Sequence, residues 1–357
     1  MEKHNKRIES VDALRAFALF GVIMVHVNGM YSFLDVPENN FSYFTSLGKL
    51  LSNFVYWFFD DKSRAIFSTL FGVSFYLILR NPTYTISKFC WRCVLLMCFG
   101  LFDKLFSTFD ILFWYGLNGL LIAAIPVRKM SPKSLLLLSI FLFIWGVTYC
   151  VPIKQFDFTE RYIADTSLSA ILTYPMNHIL LLDVSTRLYI DGPMTLAYFV
   201  LGYYLGRSGI IDSIDNHATL KKTATWFSLF MLSLLLYKIT EYNQIIWRVS
   251  IPIGATALSL AFIYLFNRFK PYLGFTIKYG RLGLTNYSSQ YIFGTIMILY
   301  IAIPTKISIE YVFLLGICLF TFQCIFAVYW TKKHRFGPLE WLWRIATNRH
   351  YIPNNPQ

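Results

Sequence analysis

Three residues in the first apolar stretch of the chain, Asp12, Arg15 and His26, have the types and the spacing that acid–base chemistry needs. Eleven positions separate Arg15 from His26, which in an α-helix is about three turns and roughly 16 Å of rise. Both side chains therefore return to nearly the same face, and Asp12 lies one turn before Arg15. In a bilayer such an ionisable stripe is costly and indicates a functional face. The alternative is that Asp12 and Arg15 pair at one membrane boundary while His26 reaches the opposite one.

The composition predicts that the elements carrying these residues lie in a membrane. Of the 357 residues, 56% are hydrophobic and 14% are charged, with 34 Phe and 24 Tyr. Charged residues make up about a quarter of an ordinary globular chain. Apolar windows of about twenty residues, the length that crosses a bilayer, recur along the sequence. We predict an all-α fold, a polytopic transmembrane helical bundle in which residues 1–357 form a single integral membrane domain.

Ten spans account for the apolar windows. Their predicted bounds are Ala13–Met30, Ala65–Leu79, Phe89–Phe102, Ile111–Val127, Ser134–Val151, Pro193–Leu205, Thr223–Leu236, Val249–Phe266, Leu282–Ile303 and Tyr311–Trp330. Most lysines and arginines fall at the termini and in the loops after even-numbered spans, so the positive-inside rule places both termini in the cytoplasm. This placement explains the net charge of +13 without a nucleic-acid partner. No small-residue cleavage site follows the first span, which we therefore expect to be uncleaved.

Further polar clusters begin near Asp60, Phe109, Pro193, Tyr279 and Phe336. From these clusters and the first span we select the residues expected to line a cavity: Asp12, Asn28, Lys62, Ser68, Asp110, Tyr115, Asn286 and Gln290. The final cluster predicts an interfacial C-terminal segment over residues 336–357, with Trp341 and Trp343 at headgroup level and Arg344 facing anionic lipid.

Each of these cavity residues also has a structural interpretation. Lys62 and Arg64 beside Asp60 and Asp61 could form an interfacial ion cluster. Asp110 could cap a helix, with Tyr115 in the interfacial aromatic belt. Asn286 and Gln290, four positions apart, could hydrogen-bond between helices.

Together the clusters resemble the YeiB-like family of bacterial integral membrane proteins, a family of unknown function. The resemblance runs from Asp12 to Arg344, with the clusters in the family's order. This family is thought to belong with a wider set of membrane acyltransferases that includes the bacterial enzymes O-acetylating polysaccharides. The resemblance implies about ten spans, a location in the bacterial cytoplasmic membrane, and acyl transfer from a cytosolic donor to an acceptor across the membrane.

Arg15 and His26 carry the acyltransferase part of this resemblance. The polysaccharide O-acetylators have an arginine, ten residues and then a histidine in the first span, and this chain reproduces that spacing. YeiB-like proteins more often have asparagine at the histidine position, so the chain departs from its family toward the acyltransferase pattern. Acyl transfer needs a base that titrates near neutral pH, which histidine supplies. We expect His26 and Arg15 to be catalytic, with Arg15 or the Asn286 amide stabilising the attacked carbonyl, or Arg15 binding a donor phosphate.

These interpretations predict that the protein uses acyl-CoA as co-substrate and an envelope glycan or lipid-linked sugar as acceptor, and that its partners are membrane lipids. A transporter or flippase is the rival function, although we find no convincing internal repeat of the kind transporters often contain. A non-catalytic scaffold or sensor is a third, in which His26 and Arg15 would be replaceable. The sequence has no Walker, Rossmann, Gly-x-Ser-x-Gly or zinc-protease motif. Its scattered histidines predict no metal site, and we expect the close pair Cys90 and Cys93 to be inert.

Overall fold

The computed structural model describes residues 8–33, 45–81, 84–104, 106, 110–150, 182–297, 307–348 and 353–355. All regular secondary structure in these ranges is helical. The α-helices are α1 (Glu9–Phe33), α2 (Ser46–Phe58), α3 (Lys62–Leu79), α4 (Ile86–Asp103), α5 (Leu112–Ala124), α6 (Pro132–Cys150), α7 (Leu182–Arg207), α8 (Ile214–His217), α9 (Leu220–Ile239), α10 (Gln244–Arg268), α11 (Lys270–Leu273), α12 (Phe275–Arg281), α13 (Gly283–Met297), α14 (Ile309–Lys333) and α15 (Pro338–Asn348).

The predicted all-α fold is confirmed, since a helix lies at each of the ten positions where a span was predicted. Four stretches of the described chain are long and apolar enough to cross a membrane: Glu9–Asn28, Ser46–Leu79, Gln244–Arg268 and Ile309–Lys333. That the chain crosses the membrane ten times and has both termini in the cytoplasm stays a prediction. Most of the polar connection predicted at 152–192 lies outside the described residues.

The sixth predicted span begins too late, because α7 runs from Leu182 through Pro193. Proline lacks an N–H and removes one helical hydrogen bond, so it often marks the start of a helix. Inside a helical bundle that loss is tolerated, because neighbouring helices can satisfy the freed backbone group.

Helix α1 lies at the centre of the bundle. It packs against α3, α10, α12 and α14. In its apolar stretch 72% of the residues are buried, against 39% for the Gln244–Arg268 and Ile309–Lys333 stretches. A helix that is hydrophobic all round is an interior helix. The polar residues on α1 therefore face protein.

Helices α3 and α7 cross closely at two glycines. A Cβ on Gly72 would lie 2.1 Å from the carbonyl oxygen of Phe199, and one on Gly202 would lie 1.9 Å from that of Thr69. Any side chain at these positions would push the helices apart, and small residues are what allow such close packing in membranes. This crossing fixes α3, which carries Lys62 at its start and Ser74 in its second half.

Large apolar side chains are exposed on the outer helices α6, α9 and α14. They include Leu137 and Phe141, Leu232 and Leu235, and Phe322 and Tyr329. Extended apolar surface of this kind marks a contact with membrane or protein. Helices that face lipid have exposed apolar side chains of this kind.

Candidate functional site

The polar residues of the core gather at two ends of the bundle. The Asp12 end consists of Asp12, Arg15, Ser74, Arg281 and Glu340. The His26 end consists of His26, Tyr287, Tyr291, Lys62 and Arg248. Arg15 and His26 lie on the same helix, separated by roughly 16 Å of rise, so the two predicted catalytic residues belong to different ends.

At the Asp12 end, one buried carboxylate joins three helices. Asp12, which is 1% exposed, accepts a hydrogen bond from Arg15 Nη1 on Oδ1 at 2.6 Å. Its Oδ2 lies 3.8 Å from Arg281 Nε on α12. Arg15 Nη2 in turn donates to Ser74 Oγ on α3 at 2.7 Å. The predicted Asp12–Arg15 pair therefore forms, within a larger network that holds α1 in place.

The Asp12 end also includes the docking contact of α15. Oε1 of Glu340 accepts hydrogen bonds from Leu284 N at 2.6 Å and Thr285 N at 3.1 Å, and Oε2 accepts one from Thr285 Oγ1 at 2.6 Å. Burial raises the pKa of the Glu340 carboxyl, and these hydrogen bonds oppose the rise. The Glu340 carboxylate, which belongs to α15, thus caps the start of α13 and attaches α15 to it.

Predicted headgroup contacts of α15 are partly replaced by protein contacts. The Trp343 ring lies 3.8 Å from the Arg92 guanidinium, and its Nε1 donates to the Arg92 carbonyl at 3.0 Å. The Arg344 guanidinium lies 4.2 Å from the Phe336 ring. The Trp343 contacts hold α15 against α4.

At the His26 end, hydrogen bonds connect His26 to the start of α5. Ile111 N donates to Tyr287 Oη at 3.0 Å, the hydroxyls of Tyr287 and Tyr291 lie 2.6 Å apart, and Tyr291 Oη lies 3.3 Å from His26 Nε2. Either tyrosine hydroxyl can be the donor in the Tyr287–Tyr291 bond, and the donor between Tyr291 and His26 Nε2 depends on the imidazole tautomer.

The two tyrosines were not among the predicted site residues. Both are fully buried on α13, inside the polar cluster that begins at Tyr279. Their spacing of four places them on one face of a helix. That spacing could have indicated from the sequence that the two tyrosines act together. It does not reveal which helix they contact.

Ser68, Asp110 and Tyr115 lie beside this tyrosine pair. Tyr115 Oη is 2.7 Å from Ser68 Oγ, and Asp110 accepts hydrogen bonds from Leu112 N and Phe113 N at 3.0 Å each. The Phe67 ring stacks on both Tyr115 and Tyr287, at 5.7 and 6.1 Å. The structure thus brings these three predicted residues to the His26 end, with Asp110 acting as the helix cap.

Asn286 and Gln290 take part in a separate network. Asn286 Nδ2 donates to the Tyr279 carbonyl at 3.0 Å, and Gln290 Nε2 lies 3.4 Å from Tyr279 Oη. That hydroxyl donates to Gln323 Oε1 at 2.8 Å. These bonds join α12, α13 and α14, as the interhelical interpretation expects. Asn28 Oδ1 accepts from Ser52 Oγ on α2 at 2.6 Å.

Lys62 is a fully buried cation at the start of α3. Its Nζ lies 3.4 Å from the centroid of the Trp247 ring and has no hydrogen-bond partner among the residues that the structure describes. Of the predicted ion cluster, the pair that forms is Arg64 Nη2 with Asp61 Oδ1, at 2.7 Å. Asp61 itself has a φ of 59°, a left-handed conformation that is uncommon for a residue other than glycine.

Two further charged residues of the core were missed by the sequence analysis. Arg248, 5% exposed, donates from Nη1 to the sulfur of Met194 at 3.1 Å. Asp103, 0% exposed, accepts from Ser288 Oγ on Oδ2 at 2.8 Å, and its Oδ1 has no hydrogen-bond partner in the described structure. Both had been assigned to loops, and their burial depends on neighbouring helices.

A small crevice lies between α3, α5 and α7, and its volume is about 30 Å³. Its walls are Arg64, Ile111, Trp114, Tyr115, Asn118, Gly192 and Thr195. No group of three or more His, Cys, Asp or Glu in the described ranges is placed to hold a metal ion. The described cysteines, Cys90 and Cys93 among them, are free.

Comparisons with known proteins connect this architecture to a family. Residues 205–350 match the family described as "Protein of unknown function (DUF418)". The chain is 24% identical to the uncharacterized protein YeiB of Escherichia coli (strain K12), over 96% of this chain and 97% of YeiB. The chain is therefore similar to YeiB over nearly its whole length.

Two further YeiB-like relatives come from Bacillus. An uncharacterized 39.9 kDa protein in the amylase 3' region of Bacillus acidopullulyticus is 27% identical, over 98% of this chain and 96% of that protein. Uncharacterized protein YxaH of Bacillus subtilis (strain 168) is 24% identical, over 98% and 96% respectively. No solved structure matches the chain. The comparisons support the YeiB-like resemblance, and none of these relatives has a named activity.

Proposed function

We propose that this protein is an integral membrane acyltransferase of the bacterial cytoplasmic membrane. It would cross the membrane ten times with both termini inside, and transfer an acyl group from cytosolic acyl-CoA to an envelope glycan or a lipid-linked sugar. The proposal rests on one observation: His26 Nε2, on the central helix, is held 3.3 Å from the Tyr291 hydroxyl. A histidine whose ring is oriented by such a contact is suited to act as a general base.

In this mechanism His26 accepts the proton of the acceptor hydroxyl. The acceptor oxygen then bonds to the thioester carbonyl carbon, the carbon–sulfur bond breaks, and the imidazolium returns the proton to the sulfur to give the CoA thiol. Tyr291 orients the imidazole in this scheme through the contact of its hydroxyl with Nε2.

Arg15 is assigned to the donor in this scheme. A residue roughly 16 Å along the helix from His26 cannot contact the same reacting carbonyl. Its guanidinium, held by Asp12 and Ser74, is suited to bind a phosphate of acyl-CoA from the cytoplasmic side.

The test separates binding from chemistry in the detergent-purified full chain. We expect Arg15→Ala to weaken acetyl-CoA binding by about tenfold, as measured by calorimetry. We expect His26→Ala to keep that binding and to lower acyl transfer roughly 100- to 10,000-fold. The matched controls are Arg268→Ala, an exposed arginine, and His217→Ala, a half-buried histidine on α8. Full acyl transfer by His26→Ala would contradict the proposal.

A proton-coupled transporter or flippase is the second candidate, and the observation that favours it is Asp103. A buried carboxyl with one oxygen outside any hydrogen bond in the described structure can load and release a proton during transport. The test is proton movement in proteoliposomes with and without an added lipid-linked sugar. The transporter function predicts a proton flux that depends on the added substrate. Asp103→Asn should abolish this flux, and His26→Ala should retain it.

A further inference from the structure

Two buried cations at the His26 end, Lys62 and Arg248, are not used by the acyl-transfer chemistry. Lys62 is 0% exposed and Arg248 is 5% exposed. A buried charge is costly unless a counter-ion and hydrogen bonds offset its desolvation. Two such charges on the packed helices α3 and α10 therefore need an explanation.

No ion pair found among the described residues includes either cation. Lys62 Nζ has no hydrogen-bond partner there, and its neighbour is the face of Trp247. The Tyr56 ring stacks on Trp247 at 4.7 Å with an interplanar angle of 5°, which leaves the other face to Lys62. Asp60 and Asp61 exert an electrostatic influence on Lys62, but Asp61 bonds Arg64.

Arg248 is held in a similarly incomplete way. Its Nη1 donates to the Met194 sulfur at 3.1 Å, and a thioether is a weak acceptor for a guanidinium. None of the ion pairs found among the described residues includes Arg248. Both cations therefore keep hydrogen-bonding capacity for something outside the described chain.

The surroundings of the two cations indicate where a ligand would enter. Met194, the contact of Arg248, is followed by Thr195, which lines the crevice together with Arg64, Tyr115 and Asn118. The helix N-termini of α3 and α10 lie at this end, and their dipoles add positive potential. The crevice walls supply hydroxyl and amide groups as well as the Arg64 guanidinium.

We propose that Lys62 and Arg248 form a binding site for a phosphate-bearing ligand at the His26 end. Two cations without an ion-pair partner match a pyrophosphate group, which carries two or more negative charges, better than the single charge of a carboxylate or phosphodiester. Arginine binds phosphate through its planar donors, and lysine binds it as a compact point charge. The proposal goes beyond acyl transfer and does not depend on it, since a flippase would use the same site.

The experiment measures binding without acyl-CoA, by calorimetry on the full chain in neutral detergent. The probes are inorganic pyrophosphate, farnesyl pyrophosphate and farnesol. We expect saturable binding of farnesyl pyrophosphate and none of farnesol. Lys62→Met and Arg248→Met should each weaken binding by about tenfold or more, the usual loss when one partner of a buried charge contact is removed. Lys238, an exposed lysine of α9, provides the matched control, Lys238→Met, which should bind like wild type.

Thermal unfolding of the ligand-free variants distinguishes a ligand site from a structural one. Replacing an unpaired buried charge by an apolar side chain is often neutral or stabilising, so the unfolding temperature of Lys62→Met should stay the same or rise. Binding of farnesyl pyrophosphate but not of inorganic pyrophosphate would indicate a lipid-linked ligand. Binding of both compounds would indicate a site that also accepts free phosphates. Binding of neither phosphate by folded wild type would overturn the proposal. Equal weakening by Lys238→Met would also overturn it.

Discussion

The Asp12 end and the His26 end differ in whether their buried charges have ion-pair or hydrogen-bond partners. At the Asp12 end the carboxylate of Asp12 is matched by Arg15 and Arg281, and the carboxylate of Glu340 by donors of α13. At the His26 end Lys62 lies against an aromatic face and Arg248 donates to a thioether sulfur.

This difference separates residues that maintain the fold from residues available for a ligand. A paired buried charge is destabilising to break, because removing one partner strands the other. An unpaired buried charge lowers stability in the absence of a ligand, and functional sites commonly carry such a cost. Replacing a buried charge by an apolar side chain should therefore lower stability at the Asp12 end and leave it unchanged or raise it at the His26 end.

The largest expected effect is at Asp12. Asp12→Ala removes the carboxylate that Arg15 and Arg281 share, and we expect a loss of about 3 kcal/mol in the free energy of unfolding. The value is at the low end for a buried pair because the Arg15 side chain keeps 22% exposure and can reach solvent. Unfolding of the detergent-solubilised protein measures it, with the exposed Asp212→Ala as control. A loss no larger than that of the control would remove the contrast between the ends.

The next effect concerns α3, which connects the two ends. Gly72→Ala places a Cβ against the Phe199 carbonyl, and overpacking of this kind costs about 1–3 kcal/mol. Gly294→Ala is the control, because none of the described atoms lies within 4 Å of the position its Cβ would take. That substitution should be neutral or stabilising by up to about 1 kcal/mol. Equal stability of the two variants would mean that α3 and α7 are not held by close contact.

A smaller effect is expected at Tyr291. Tyr291→Phe removes the hydroxyl between Tyr287 and His26 and should cost about 1 kcal/mol of stability. If His26 is the base, the variant should also shift the pH profile of acyl transfer, which a purely structural tyrosine would not do. Tyr311→Phe, at an exposed tyrosine of α14, serves as the control. An unchanged pH profile would leave Tyr291 with a structural role alone.

The smallest effect is a pH dependence at Glu340. Burial raises the pKa of this carboxyl above its usual 4.5. A group with a higher pKa in the folded protein contributes stability that is full below its unfolded pKa and is lost as pH rises through the folded one. The attachment of α15 should therefore weaken as pH rises above 4.5. Protease protection of α15 measures this attachment, and Glu340→Gln should show less dependence on pH; an identical dependence would exclude Glu340 as its source.

Much of the helical layout could be predicted from the sequence, because long apolar segments in a bilayer must form helices to satisfy their backbone. The start of α7 was missed because a proline inside a helix resembles a helix boundary. The candidate site was predictable only in part. Periodicity places Arg15 and His26 on one face of α1, but the contacts that separate Asn286 from the His26 end come from helices distant in sequence.

The sequence by itself determined the helical class, the positions of the apolar segments and the ionisable stripe on α1. These follow from local composition and from the period of 3.6 residues. The tertiary structure decided which charges are paired. Asp12 and Arg281 are far apart in the chain, as are Lys62 and Trp247, and only helix packing brings such groups together. The energy of a buried charge depends on those neighbours, so the distinction between the two ends could not be read from residue types alone.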